Sequence, residues 1–127
     1  RERAGDLEAA EAAFRRSDAS LIAAAGEADN RRWRPLAALG GLELRRGAPE
    51  RALTLLRDAA SRLTHDPGAD RFERAMVSLR LGRAEIESGH DVAGGTARAT
   101  AAAAQLVDGG QAWEFMQPEL APFLPAG

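Results

Sequence analysis

The chain repeats itself. Shifted by 42 residues, Gly5 falls on Gly47 and then on Gly89, Glu8 on Glu50, Ala10 on Ala52, Arg15 on Arg57 and Leu21 on Leu63. The same shift carries Leu39-Gly40 onto Leu81-Gly82, Glu43 onto Glu85, Thr54 onto Thr96 and Ala59-Ala60 onto Ala101-Ala102. Self-similarity at a period of roughly 20–50 residues marks repeat architectures, in which one supersecondary unit cannot bury its apolar face alone and stacks on copies of itself.

Each unit reads as two helices around a glycine turn. After Gly47, the residues Ala52, Leu56, Ala59, Ala60 and Leu63 follow helical spacing and share one face. Pro49 suits a first helical turn, where its missing N–H leaves no bond unmade. After Gly5 the same face is written as Leu7, Ala10, Phe14, Ser17 and Leu21, with Gly26 as a stop signal. A partner helix is expected over about Arg32 to Arg46, with Leu36, Leu39 and Leu42 inward and Pro35 confined to its first turn. Its counterpart runs from about Asp70 to Ser88, with Phe72, Ala75, Met76, Leu79, Gly82 and Ile86 on one stripe. A glycine inside a helix costs about 1 kcal/mol relative to alanine. Gly40 and Gly82, at equivalent mid-helix places, therefore predict a close approach of another backbone, with Ala52 and Gly94 as the small residues opposite.

Leu39-Gly40, Gly47, Ala52, Leu56 and Ala59 together resemble the Leu-Gly, turn Gly, Ala, large apolar and Ala signature of tetratricopeptide (TPR) repeats. The likeness spans nearly the whole chain: the second helix of a truncated repeat (4–26), one repeat (31–64), another (70–107) and a C-terminal cap or tail (111–127). The period exceeds the family's usual spacing of about 34 and is similar to longer-looped variants in bacterial signalling and transcription regulators. The extra residues fall in Gly26 to Asn30 and His65 to Ala69, the latter holding the turn signal Asp66-Pro67-Gly68. Glu43 and Glu85 depart from the pattern, standing where the family has an aromatic residue. Arg98 stands where a large apolar residue is expected, and Gly94-Gly95 weakens the start of the last helix.

In the resembled family the first helix of each repeat lines a concave binding surface. Carried over by residue, that surface comprises Arg34, Ala37, Gly41, Leu44 and Arg45 from one repeat, and Met76, Leu79, Arg83, Ile86 and Glu87 from the next. Small and apolar residues flanked by arginine suit an extended or helical peptide with an apolar anchor and an acidic group. The other reading of Met76, Leu79 and Ile86 is burial between repeats, and of the arginines, solvation. The Lys and Asn clamp with which some family members hold a C-terminal carboxylate is missing, which disfavours a chaperone-tail receptor.

Charge narrows the partner. Net charge is −2 at neutral pH, without the basic excess of a dedicated nucleic-acid binder. The cluster Arg31, Arg32 and Arg34 around Trp33, joined by Arg45 and Arg46, reads first as a solvated face and only second as a nucleic-acid contact. Every basic residue apart from two histidines is arginine, Tyr is absent and alanine dominates, a codon bias expected of a GC-rich bacterial genome. No apolar stretch approaches the roughly 20 residues of a membrane span. The opening Arg1-Glu2-Arg3 lacks a starting Met or a signal segment, which suggests a piece of a larger cytoplasmic protein.

Trp113, Phe115, Met116, Leu120, Phe123 and Leu124 concentrate aromatic and large apolar side chains near the end, broken by Pro118, Pro122 and Pro125. They read either as a cap folded over the alanine run Ala101 to Ala104, or as a segment awaiting further repeats.

Catalytic chemistry is not written in the chain. There is no cysteine, His65 and His90 sit in turns without metal-ligand spacing, and no serine has a His and Asp arrangement to activate it. Glu85 and Glu87, two apart on a helix, face different directions. The fold expected is all-α: antiparallel helical hairpins stacked as a right-handed TPR-like superhelix (α-solenoid), about five helices plus a short C-terminal helix. The function expected is a protein-interaction module of a larger regulatory or signalling protein, binding a peptide or a neighbouring domain, with no catalytic residue, metal or cofactor. The alternative is the effector-sensing domain of a transcription regulator, binding a small molecule or peptide. Exposed array ends leave room for a homodimer, whereas nucleic acid and membrane are not the expected partners.

Overall fold

The computed structural model describes residues 4–108 and 118–124, and every regular element among them is helical. Trp113, Phe115 and Met116 of the expected cap lie outside the described residues. Five helices lie wholly within the described residues, α1 (Ala4–Ala25), α2 (Trp33–Arg45), α3 (Pro49–Thr64), α4 (Arg71–Ser88) and α5 (Val92–Asp108), and residues 118–120 are α-helical as well. Short 3-10 turns occupy Asn30–Arg32 and Ala121–Phe123. No described helix is long and apolar enough to cross a membrane.

Neighbours in sequence pack against each other, α2 on α3, α3 on α4 and α4 on α5. Arg32 bonds Asp18 while Arg46 bonds Glu11, so α1 and α2 run antiparallel. Between hairpins, Arg34 of α2 pairs with Glu73 of α4 and Gly41 lies beneath the Arg80 guanidinium, so α2 and α4 lie side by side and parallel.

Local chemistry sets the helix ends. Gly26, Gly47 and Gly89 hold φ values of 94°, 76° and 77°, a left-handed conformation that a side chain disfavours and that ends a helix sharply. Asp70 caps α4 in a complete capping box with Glu73. Asp91 caps α5 by accepting from the Gly94 N–H at 2.9 Å. Pro35 falls in the first turn of α2, where a backbone N–H has no intrahelical acceptor and its loss costs no helix bond.

The two glycine turns differ by one residue. Gly47 N–H donates to Leu44 and Gly89 N–H to Ile86, matching positions of the repeat, but the next bond runs from Ala48 to Glu43 in one turn and from Asp91 to Glu85 in the other. The residue added ahead of α5 moves its register. Buried Ala52, Leu56, Ala59 and Leu63 of α3 correspond to buried Gly95, Ala99, Ala102 and Leu106 of α5, one place beyond the 42-residue shift. Arg98 therefore does not occupy an apolar position: it is exposed and pairs with Glu85 at 2.9 Å.

The same slip corrects the expected glycine contacts. Gly82 faces Gly95 and Ala99 rather than Gly94, which lies against Asp91. A Cβ on Gly82 would stand 2.6 Å from the Gly95 carbonyl oxygen, and one on Gly95 would stand 2.6 Å from the Gly82 oxygen. Two bare helix backbones touch there. Gly40 accommodates the Leu56 side chain instead of a second backbone.

Two apolar clusters form the interior. One joins Trp33, Leu36 and Leu44 of α2 to Leu53, Leu56 and Leu63 of α3 and to Val77, Leu81 and Ala84 of α4. The other joins Ala75 and Leu79 of α4 to Ala99, Ala102, Ala103 and Leu106 of α5 and to Leu120. The single stripe expected on α4 is thus half of the truth. Held between α3 and α5, this helix needs apolar side chains on two faces, and Val77, Leu81 and Ala84 supply the second.

Gly82→Ala tests the backbone contact. Overpacking against a carbonyl costs about 1–3 kcal/mol, outweighing a helix-propensity gain of about 1 kcal/mol, so the thermal midpoint should fall. Gly41→Ala meets only the movable Arg80 guanidinium at 3.4 Å and should leave the midpoint unchanged or raise it. A midpoint for Gly82→Ala at or above that of the parent would mean that the two backbones are not in contact.

Candidate functional site

Parallel α2 and α4 form a face whose residues sort by burial. Arg45 is exposed at the end of α2, and Arg83 and Glu87 pair one turn apart on α4 at 3.4 Å. These three line a cavity of about 570 Å³ together with Pro118, Glu119, Pro122 and Phe123. Arg34 is exposed, bonded to Glu73 at 2.5 Å, with its guanidinium 4.7 Å from the Trp33 ring centre. Gly41 leaves the space in which Arg80 lies across the two helices.

The apolar members of the expected surface divide differently. Leu79 is 0% exposed, and Leu44 and Ala37 are also buried, so these three belong to the core and not to the groove. Their place on the groove came from matching first-helix positions, and at those positions the helix turns toward α3 or α5. Met76 is half-buried against the second apolar cluster. Half-buried Ile86 lines a separate cavity of about 590 Å³ with Thr96, Thr100, Pro122, Phe123 and Leu124.

Part of the chain itself borders this face, seated between α4 and α5. Leu120 is 0% exposed, seated among Ala75, Leu79, Ala99, Ala102, Ala103 and Leu106, with Phe123 and Leu124 packed partly against the same cluster. The alanines of α5 are what make the seat deep enough for a leucine. Beside it, the Glu119 carboxylate lies 3.7 Å from Arg80 Nε and 3.9 Å from Arg83. Glu119 Oε2 and Arg80 Nε are both buried, yet neither makes a hydrogen bond.

Sequence reasoning missed Arg80 and Glu119. Arg80 was legible as a neighbour of residues already named, since Met76, Arg80, Arg83 and Glu87 recur at helical spacing on one face. Glu119 carried no signal, because its role depends on where Leu120 docks.

A second concave region lies at the other end of α2. A cavity of about 640 Å³ is lined by Ser17, Ser20 and Leu21 of α1, by Arg31, Trp33, Arg34 and Pro35, and by Asp66 and Gly68 of the α3–α4 loop. Asp66 organises this corner. One carboxylate oxygen accepts the Trp33 indole N–H at 2.7 Å and the other accepts the Gly68 N–H at 3.0 Å. Arg74 donates to the Asp66 and Leu63 carbonyls, closing the loop onto the end of α3. The bond from Trp33, followed by that from Gly68, holds the Asp66 carboxyl below its ordinary pKa.

The arginine cluster is committed to carboxylates. Arg31 chelates Asp29, Arg32 bonds Asp18 at 2.6 Å, Arg34 bonds Glu73, and Arg46 bridges Glu11 and Glu43. The Arg31 side chain, then the Arg31 N–H, lower the Asp29 pKa to about 2. Glu11 is lowered chiefly by Arg46 and then by Arg15. Among the described residues no three acidic or histidine side chains converge where they could hold a metal ion.

Asp66→Ala should lower the thermal midpoint by roughly 4 °C, because it strands a buried indole N–H. The link to pH has a definite sign. A carboxyl whose pKa is depressed by folding gives its full stabilisation above the unfolded value of 3.8 and loses it as pH falls through the folded value. In a Trp113→Phe background, Trp33 emission should therefore hold steady from neutral pH to about 4 and shift only below that. Asp66→Ala should remove this acid-dependent component; the same acid profile in both proteins would rule out Asp66 as its source.

No family model matches the chain, and neither a curated protein nor a solved structure matches it.

Proposed function

We propose that this chain is a protein-interaction module, a TPR-like stack of helical hairpins within a larger cytoplasmic bacterial regulator or signalling protein, and that it binds peptide segments on the α2–α4 face. The observation that carries the reading is the pair Glu119-Leu120. The chain's own segment places a leucine in an apolar seat between α4 and α5 and, next to it, a carboxylate beside Arg80 and Arg83 at the edge of the α2–α4 face. An apolar anchor joined to an acidic group is the ligand chemistry that such a face favours, since the anchor supplies desolvation and the guanidiniums supply direction. Arg45 and Glu87 border the groove and add charge selection at its rim. Binding of this kind needs surface complementarity and no reacting group.

The Trp33 corner favours a second reading, effector sensing. Its cavity combines an indole, two serine hydroxyls and two arginines, a lining of the mixed kind that small molecules use. Arg31 and Arg34 there are held by Asp29 and Glu73 in direct hydrogen bonds, whereas the buried Nε of Arg80 on the α2–α4 face makes none, which makes that face the better supported site.

A displayed library of ten-residue peptides, selected on the intact chain, tests the leading reading. Selected peptides should be rich in acidic residues next to leucine, and Arg45→Glu together with Arg83→Glu should weaken their binding about tenfold or more. Equal binding by the parent and the charge-reversed protein would reject the α2–α4 face as the site.

A further inference from the structure

The carboxylate of Glu43 is only half satisfied. Glu43 is 7% exposed and sits in the last turn of α2, where the helix carbonyls themselves disfavour a negative charge. One of its oxygens accepts from Arg46 at 2.8 Å, while the other, Oε2, is buried and makes no hydrogen bond. Arg51 stands 3.5 Å from Oε2 without donating to it. A buried charged oxygen that lacks a donor is costly, and an opposite charge at that distance offsets only part of the cost.

The second hairpin supplies what the first lacks. Glu85, the counterpart of Glu43, accepts from the Arg98 guanidinium of α5 at 2.9 Å. Buried positions of α5 run one place beyond the 42-residue shift, so Arg98 corresponds to Leu55 of α3. Where α5 offers Glu85 a cation, α3 offers Glu43 a leucine.

Glu43 lines a cavity of about 330 Å³ between α1, α2 and α3, together with Glu11 and Arg15, Arg46, and Arg51, Thr54 and Leu55. Its charge is mixed, three guanidiniums against two carboxylates. Arg46 is held between Glu11 and Glu43, and Arg15 pairs with Glu11. Arg51, with its side chain 77% exposed, is the guanidinium most open to a ligand. An anion alone would leave the Glu43 oxygen without a donor, and a cation alone would meet the excess of guanidinium charge. A ligand with both an ammonium and a carboxylate meets neither obstacle. Leu55 makes part of the wall apolar, and the Thr54 hydroxyl is already engaged with the Glu50 carbonyl. Small-molecule pockets begin at about 300 Å³, so the occupant is small.

We infer that this cleft binds a free aliphatic α-amino acid, its ammonium donating to Glu43 Oε2, its carboxylate received by Arg51 and its side chain against Leu55. The site shares no lining residue with the cavity on the α2–α4 face and does not depend on peptide binding there.

The test is a titration of the full chain, followed by amide NMR, with L-alanine, L-valine and L-leucine. The tightest of the three is then compared with its own two halves, the amine that lacks the carboxylate and the acid that lacks the ammonium. It should shift the amides around Glu43 and Arg51 saturably and bind about tenfold or more tighter than either half. Arg51→Ala, at an exposed position, should keep the helical circular dichroism of the parent and weaken binding by a similar factor. Glu43→Gln should do the same to binding, but it also takes the charge from beside Arg46. Leu55→Arg serves as the second variant: it brings the guanidinium of the second hairpin to Glu43, and should remove binding while the helices remain. If none of the three amino acids gives saturable shifts, the proposal is overturned and solvent satisfies Glu43 Oε2. It is equally overturned by a half that binds as tightly as the whole amino acid, or by undiminished binding to folded Arg51→Ala or Leu55→Arg.

Discussion

Helix α4 has to satisfy two neighbours at once, and the contact between Gly82 and Gly95 is what allows it. With no side chain on either residue, the α4 and α5 backbones touch, which draws α5 close enough for Ala99, Ala102, Ala103 and Leu106 to bury Ala75 and Leu79. The opposite side of α4 is then free to enter the cluster built by α2 and α3. Without the close approach the second cluster would be a gap lined by alanines, and small side chains hold a gap closed only when backbones are near. The position of Leu120 follows from the same geometry.

Buried carboxylates give the stack its polar logic. Glu43 and Glu85, equivalent in the repeat and each 7% exposed, are held by arginines: Arg46 and Arg51 in one hairpin, Arg98 in the other. In the family that the repeat resembles, an aromatic ring fills this place. A ring contributes area and tolerates sliding, whereas a paired carboxylate contributes direction and penalises misregistered packing, because a displaced partner leaves a buried charge unmatched. The loops use arginine in the same way. Arg62 ties α3 to the Glu27 and Asp29 carbonyls, and Arg74 ties α4 to Leu63 and Asp66.

Much of this was legible before any coordinates. Glycine turns at Gly47 and Gly89, helix-spaced leucines in α2 and α3, and the Asp66-Pro67-Gly68 turn each follow from one residue type having one physical use. The register of α5 was not legible, because a run of alanines and two adjacent glycines look alike after a slip of one residue. The hydrogen bond from Asp91 to Glu85 and the displaced buried positions of α5 reveal the added residue. Leu44 and Leu79 were misplaced on the groove for a related reason: a repeat pattern says which positions are equivalent, but the direction of each depends on which neighbours flank the helix. The α4 stripe was incomplete because one stripe suffices for a helix with one partner, and α4 has two. Arg80 and Glu119 became visible only once Leu120 had a seat.

The residue added in the turn before α5 has a consequence for how this hairpin can vary. One residue rotates a helix by about 100° and advances it by about 1.5 Å, so α5 keeps an inward face only because its small residues are displaced by the same single place. The added residue and the displaced small residues are thus two halves of one change. Removing the residue from the turn alone would rotate Gly95, Ala99, Ala102 and Leu106 away from α4, so turn length and helix sequence in this hairpin can change only together.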